Sequence, residues 1–258
     1  MKLAKKIIWI IALAVIIVLL GVVGYGYYRK ATLNISNPVA TMEVEGYGTV
    51  KMELYPDQAP ETVANFIALA NRGFYNGSSF HRVVKDFMIQ GGTKSGDGTS
   101  GAKIADLKDG GADEDYTIKG EFVANGVNNT VKFEEGVVGL ARSDYSQYSS
   151  SLDNESYNSG CAQFFIMTAE NTTLNGNYTA FGKVIEGMDV VHKIENVEVK
   201  APDDSEETGN TEVSTPVTDI KITSIQVETY GVDYGLPETL TPFDYTNWFY
   251  QNYMGSVE

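Results

Sequence analysis

The chain opens on an uninterrupted apolar run and then changes to short alternating segments. From Ile7 to Tyr28 no charged side chain breaks 22 successive positions; Lys2, Lys5 and Lys6 precede the run, and Arg29 and Lys30 close it. As a helix it would extend roughly 33 Å at about 1.5 Å per residue, enough for a hydrocarbon core about 30 Å thick. Trp9 at one end and Tyr25, Tyr27 and Tyr28 at the other suit the two interfaces. The pattern predicts a cytoplasmic stub over 1–6, one transmembrane helix over 7–28 and a polar spacer over 29–38. The run is longer than a signal-peptide core, and no small-x-small cleavage site follows it. Three lysines and the amino terminus outweigh Arg29 and Lys30, which predicts a single-pass protein of the cell membrane with its domain extracytoplasmic.

Beyond the spacer the period changes to two. Ala40–Glu45 and Thr49–Tyr55 alternate apolar and polar residues around Gly46-Tyr47-Gly48, a hairpin signal. Pro56 ends the hairpin and Pro60 opens a helix, with Glu61 in its first turn and Gly73 just past its end. Val63, Phe66, Ile67 and Ala70 recur at helical spacing, one apolar face for a core. A second helix is predicted over Met188–Ile194. Strand candidates are Phe80–Val84, Phe87–Gln90, Gly136–Ala141, Phe164–Thr168, Ala180–Val184 and Ile220–Thr229. Many short strands with few helices predict a sandwich or barrel. Residues 201–216, rich in Asp, Glu, Ser and Thr, read as a solvated excursion. The aromatic tail over 231–258 has no role that its pattern assigns.

Charge sharpens the division at the first thirty residues. They hold five of the 19 basic residues and none of the 34 acidic ones, so the remainder, with 14 against 34, carries −20. A domain that acidic repels phosphate backbones and excludes nucleic acid as a partner. Cys161 is the one cysteine, so no intrachain disulfide forms, and beside an apolar run it reads as inert. Six N-x-S/T sequons occur, at Asn34, Asn76, Asn128, Asn154, Asn171 and Asn177. Asn76 and Asn177 lie close to segments that carry the candidate chemistry, where a glycan would obstruct, which favours a bacterial source.

The inventory removes most routes to chemistry. His81 and His192 are the two histidines, and no Cys/His pair has metal-ligand spacing. No G-x-S-x-G elbow occurs. Gly96-Asp97-Gly98-Thr99-Ser100-Gly101 matches G-x-G-x-x-G but lies in a polar loop without a βαβ frame. What remains is Phe80-His81-Arg82, then Phe87-Met88-Ile89-Gln90-Gly91-Gly92, and later Ala162-Gln163-Phe164-Phe165-Ile166. Read as a strand, Asp86–Gln90 turns Phe87 and Ile89 to one side and Met88 and Gln90 to the other, unless a bulge intervenes. An arginine among such apolar neighbours is either snorkelling to solvent or held for a purpose.

These segments, with Phe181-Gly182-Lys183-Val184-Ile185-Glu186-Gly187-Met188, resemble the cyclophilin family of prolyl isomerases over roughly residues 40 to 228. The resemblance implies a mainly-β domain over 39–230: a closed eight-stranded antiparallel β-barrel capped by two helices, with the site on its outside. It implies that Arg82 is the catalytic arginine. Phe87, Met88, Phe165 and Leu174 would hold the substrate proline ring, and Gln90 and Gln163 would flank the substrate backbone. Ala141 and Arg142 would meet the residue before proline, and Tyr178 stands where many eukaryotic members have His. Thr173 replaces the Trp that contacts cyclosporin in those members, which implies weak cyclosporin binding; such replacements resemble bacterial members. Arg142 replaces a common Asn, and an insertion, Ser143 to Asn158, follows it, placed to reshape or partly cover the groove.

The reaction explains why no titrating group, metal or cofactor is needed. Rotation about a peptide bond faces about 18–20 kcal/mol because nitrogen donates its lone pair into the carbonyl, and no bond is made or broken. The implied partners are proline-containing polypeptides, folding as they are exported, and the membrane through the N-terminal helix. The alternative is a module or chaperone scaffold at the membrane that grips proline segments without turning them over.

Overall fold

The computed structural model describes residues 9, 13–24, 36–95, 98–202 and 212–254, and it divides into two units, 1–36 and 37–258. In the first unit the described helix covers residues 13–24, every one exposed. No helix among the described residues is long and apolar enough to cross a membrane. The expectations of a transmembrane helix over 7–28, and of a single-pass membrane location built on it, are therefore corrected. The stub over 1–6, the ends of the apolar run and most of the spacer lie outside the described residues.

The second unit is built on strands β1 (Val39–Val44), β2 (Gly48–Leu54), β3 (Ser79–Val84), β4 (Met88–Thr93), β5 (Thr117–Ile118) and β6 (Val137–Leu140). β7 (Phe164–Met167), β8 (Ala180–Glu186), β9 (Val199–Lys200), β10 (Thr215–Pro216), β11 (Ile222–Glu228) and β12 (Thr239–Leu240) follow. Its two main helices are α1 (Pro60–Asn71) and α2 (Met188–Glu195). The predicted hairpin forms as β1 and β2, with Val44 opposite Gly48 and alternate residues Ala40, Met42, Val50, Met52 and Leu54 buried.

α1 starts at Pro60, as its sequence predicts, but its free N–H groups are capped from far along the chain. The carboxylate of Glu121 accepts from the Glu61 and Thr62 N–H groups at 3.0 and 2.8 Å and from the Thr62 hydroxyl at 2.7 Å. Its end is a Schellman turn: Gly73, at φ +76°, donates to Ala70, and Phe74 donates to Leu69. Val63, Phe66, Leu69 and Ala70 enter the main core with Phe80, Phe164 and Phe181 of the sheet and Val191 and Ile194 of α2. Each of these side chains larger than alanine contributes about 1.5–3 kcal/mol on burial.

Eight strands form one antiparallel sheet in the order β11-β1-β2-β8-β6-β7-β4-β3. The sheet curls but does not close, which corrects the expected closed barrel. Its two edges meet at an isolated bridge, Ser79–Lys221, with three flanking hydrogen bonds among Gly77, Ser78, Phe80, Ile220 and Ile222. Beyond that point β3 leaves the other edge. The Val83 N–H goes instead to the carbonyl of Ser214 at 2.7 Å, which lies between β9 and β10, just before β10. Once that N–H is satisfied, β3 has no donor there for a continuous ladder with β11.

Candidate active site

The open edge positions Arg82. Phe80 lies opposite Gly91 and Arg82 opposite Gln90, so His81 is an extra residue, a β-bulge, in β3. In a regular strand Phe80 and Arg82 would share a face. The bulge reverses the alternation: Phe80 and Val83 both point into the main core, while Arg82 emerges on the outer face.

A second apolar cluster covers that outer face. Met88, Phe133, Val137, Phe165, Met167 and Ala180 are buried in it, and Phe87, Leu174 and Tyr178 pack against it. Phe87 belongs there although it precedes β4, because residues 85–87 form a turn with Asp86 at φ +57°. That turn is fixed by α2: Glu195 accepts the Asp86 N–H at 2.8 Å and bonds His192 Nδ1 at 2.8 Å, while His192 Nε2 meets Glu135 at 2.6 Å. Phe165 lies between Gln90 on β4 and Gly139 on β6, stacked on Phe133 at 5.7 Å and edge-on to Tyr178 at 6.1 Å. Gly139 makes room for the ring, since a Cβ there would meet the Phe165 Cε1 and Cε2 atoms at 2.7 Å.

Arg82, Phe87, Met88, Gln90, Ala141, Arg142, Phe165, Leu174 and Tyr178 line one cleft of about 220 Å³. The guanidinium Nη1 lies 3.7 Å from Met88 Sδ and 3.4 Å from Gln90 Oε1, inside this cleft. Its opposite edge is occupied: Nε and Nη2 donate to the two oxygens of Glu212 at 2.7 and 2.8 Å. The hydrogen bonds and charge of Arg82 outweigh burial and hold the Glu212 carboxyl below the usual range.

Gln163, the remaining expected site residue, stands in a neighbouring cleft of about 380 Å³ that shares Gln90, Ala141 and Arg142 with the first. A relay joins the two: Gln90 Nε2 donates to Gln163 Oε1 at 2.9 Å, and Gln163 Nε2 donates to the Gly98 carbonyl at 2.8 Å. Arg142 forms the partition, its guanidinium 4.4 Å from the Tyr178 ring centroid and 5.4 Å from that of Tyr157. Cys161 lines the larger cleft, and burial pushes its thiol up to about 11, so it is protonated at neutral pH.

The insertion over 143–158 and the tail meet beside this second cleft. Tyr145 stacks on Tyr245 at 5.8 Å and packs on Phe243 at 5.2 Å, Pro242 enters the cleft wall, and β12 pairs with β5. Sequence reasoning assigned the tail no role and read 201–216 as a solvated excursion. Residues 203–211 of that segment lie outside the described residues, but Glu212 and Ser214 are fixed against β3. Glu212, Gly139 and Phe133 were all absent from the expected site. No local signal marks them, because each acts on a partner far away in sequence.

A pattern described as "Cyclophilin type peptidyl-prolyl cis-trans isomerase/CLD" matches residues 39–227. Peptidyl-prolyl cis-trans isomerase-like 1 of Homo sapiens is 33% identical over 176 residues, 68% of this chain and 84% of the human protein. The isomerase cyp15 of Rhizopus delemar is 35% identical over 199 residues, 77% of this chain but only 25% of that longer protein. A cyclophilin-type isomerase of Cryptosporidium parvum, solved also in the presence of the dipeptide Ala-Pro, superposes with a TM-score of 0.56 at 26% identity, covering 74% of this chain and 98% of its own. The matched span contains every strand of the curled sheet's site face and the whole Arg82 cleft, and the chain belongs to the cyclophilin-type peptidyl-prolyl cis–trans isomerases.

Proposed function

We propose that the Arg82 cleft is where this isomerase turns X-Pro bonds, with Arg82 as the catalytic donor. The observation that carries the reading is the Nη1 side of the guanidinium lying against Met88 and Gln90 inside an apolar cleft. At an X-Pro bond the isomers lie within about 0.5–1 kcal/mol, yet they exchange over tens of seconds or more. The barrier is lost conjugation, so the catalyst has to favour the twisted imide, whose pyramidal nitrogen accepts a hydrogen bond. A guanidinium is always charged and offers five N–H donors in a plane, so it can supply that bond without any proton transfer.

The apolar walls provide the rest. Phe87, Met88, Phe165 and Leu174 grip the proline ring, and Gln90 and Gln163 align the polypeptide backbone across the two clefts. Water exclusion strengthens the Arg82 bond to the twisted state. The Cryptosporidium parvum relative was solved in the presence of Ala-Pro, a dipeptide that contains one X-Pro bond. The test is a proline-isomerisation assay on a short X-Pro peptide with the full chain. Arg82→Ala should lower kcat/KM by about 10²–10³-fold, the usual cost of one preorganised donor; activity equal to the unsubstituted chain would reject the assignment.

A second reading, a module that grips proline segments without turnover, draws on the aromatic collar of Tyr145, Phe243 and Tyr245 beside the larger cleft. It requires peptide binding with no acceleration in the same assay.

A further inference from the structure

The Glu212 fork on Arg82 is a built contact. Ser214, which is 3% exposed, fixes it from three directions: its carbonyl accepts the Val83 N–H at 2.7 Å, its N–H donates to Lys200 at 3.1 Å, and its hydroxyl donates to Glu212 Oε2 at 3.1 Å. The carboxylate therefore reaches Arg82 from the open edge of the sheet, beside the strand that carries the arginine. It takes only the Nε–Nη2 edge. Of the five guanidinium N–H groups, two go to Glu212, while Nη1 lies on the cleft side and donates only over longer distances, 3.7 Å to Met88 Sδ and 3.4 Å to Gln90 Oε1. A bidentate carboxylate fixes the plane of a guanidinium as well as its position. An arginine on a long stem would otherwise sample several rotamers, and a donor aimed in advance loses less entropy on reaching the transition state.

We propose that Glu212 is a positioning residue for the isomerisation, holding the Arg82 guanidinium by its far edge so that Nη1 is presented to the twisting imide. The proposal rests on the reading of Arg82 as the catalytic donor and deepens it.

The test uses the full chain carrying Glu212→Ala or Glu212→Gln, each alone and combined with Arg82→Ala. Exchange spectroscopy on an X-Pro peptide gives kcat and KM separately, and a thermal melt checks that each variant folds. Glu212→Ala should lower kcat about twofold to tenfold, the cost of freeing one rotamer-rich side chain, with KM little changed. Glu212→Gln, which keeps an acceptor for one of the two donors, should fall between. In the Arg82→Ala background neither substitution should have a further effect. Activity at or above the unsubstituted level in Glu212→Ala would overturn the proposal, since the carboxylate would then mask the arginine or be idle. A rise in KM at constant kcat, or an undiminished loss in the Arg82→Ala background, would overturn it too. If Arg82→Ala alone left activity intact, the reading of the site itself would fail, a result distinct from the others.

Discussion

Gly139→Ala isolates the wall of the cleft from its chemistry. The backbone at Gly139 lies outside the left-handed region, so alanine is conformationally acceptable there and the effect is steric. The new Cβ would meet Phe165 Cε1 and Cε2 at 2.7 Å, where carbon atoms prefer about 3.5–4.0 Å. The ring cannot retreat inward: Phe165 is 5% exposed, stacked on Phe133 and bounded by Tyr178. It must move into the 220 Å³ cleft, where the proline ring is proposed to bind. Overpacking costs about 1–3 kcal/mol, offset by about 0.4–1 kcal/mol from the stiffer unfolded chain. The net cost is up to about 2.6 kcal/mol, so the melting temperature should fall by up to about 10 °C, at 2–4 °C per kcal/mol for a domain of this size. The isomerisation assay should show kcat/KM reduced about 10- to 100-fold, because a misplacement near 1 Å is enough for such a loss. Unchanged activity at an unchanged melting temperature would refute the placement of the ring and its part in the cleft.

Glu121→Ala removes the distant cap of α1 and should cost about 2 kcal/mol in denaturant unfolding, while activity per folded molecule is retained. Arg142→Ala withdraws the cation over Tyr178 and should raise KM and lower stability by about 0.5–2 kcal/mol, checked by kinetics and a thermal melt. His192 has its pKa raised by hydrogen bonds to Glu195 and Glu135, so its folded form binds the proton more tightly. Its contribution to stability is complete below 6.5, its ordinary value, and is lost as pH rises through the raised one; melting temperature against pH should show that decline, and His192→Ala should remove it. Native Cys161, with its thiol at about 11, should resist alkylation at neutral pH and react once the chain is unfolded, as a labelling time course would show.

Local pattern made the strands, the first hairpin and α1 legible, because alternation, Pro60, Gly73 and the apolar face of α1 act over a few residues. The nine side chains of the cleft were also named in advance, through motifs whose spacing resembles a family. Three features were hidden. Regular alternation would place Phe80 and Arg82 on one face, and only the pairing with β4 reveals the bulge at His81 that separates them. Closure of the sheet depends on how its far edges meet, and the Val83 N–H goes to Ser214 instead. Glu212 was one acid in a polar run, indistinguishable from its neighbours until the fold brings it 130 residues back to Arg82. The apolar run at the N-terminus had the composition of a span, yet no helix among the described residues has the length to cross a membrane. The tail was silent because its aromatic partners, Tyr145 and Tyr148, lie about a hundred residues earlier.

The most direct measurement is a crystal structure of the full chain with a short X-Pro peptide bound. The proline ring should rest against Phe165, Met88 and Leu174, with Nη1 of Arg82 at hydrogen-bonding distance, about 3 Å, from the imide. A peptide seated only in the larger cleft, or an Arg82 guanidinium turned wholly toward Glu212 with no donor facing the imide, would contradict the account.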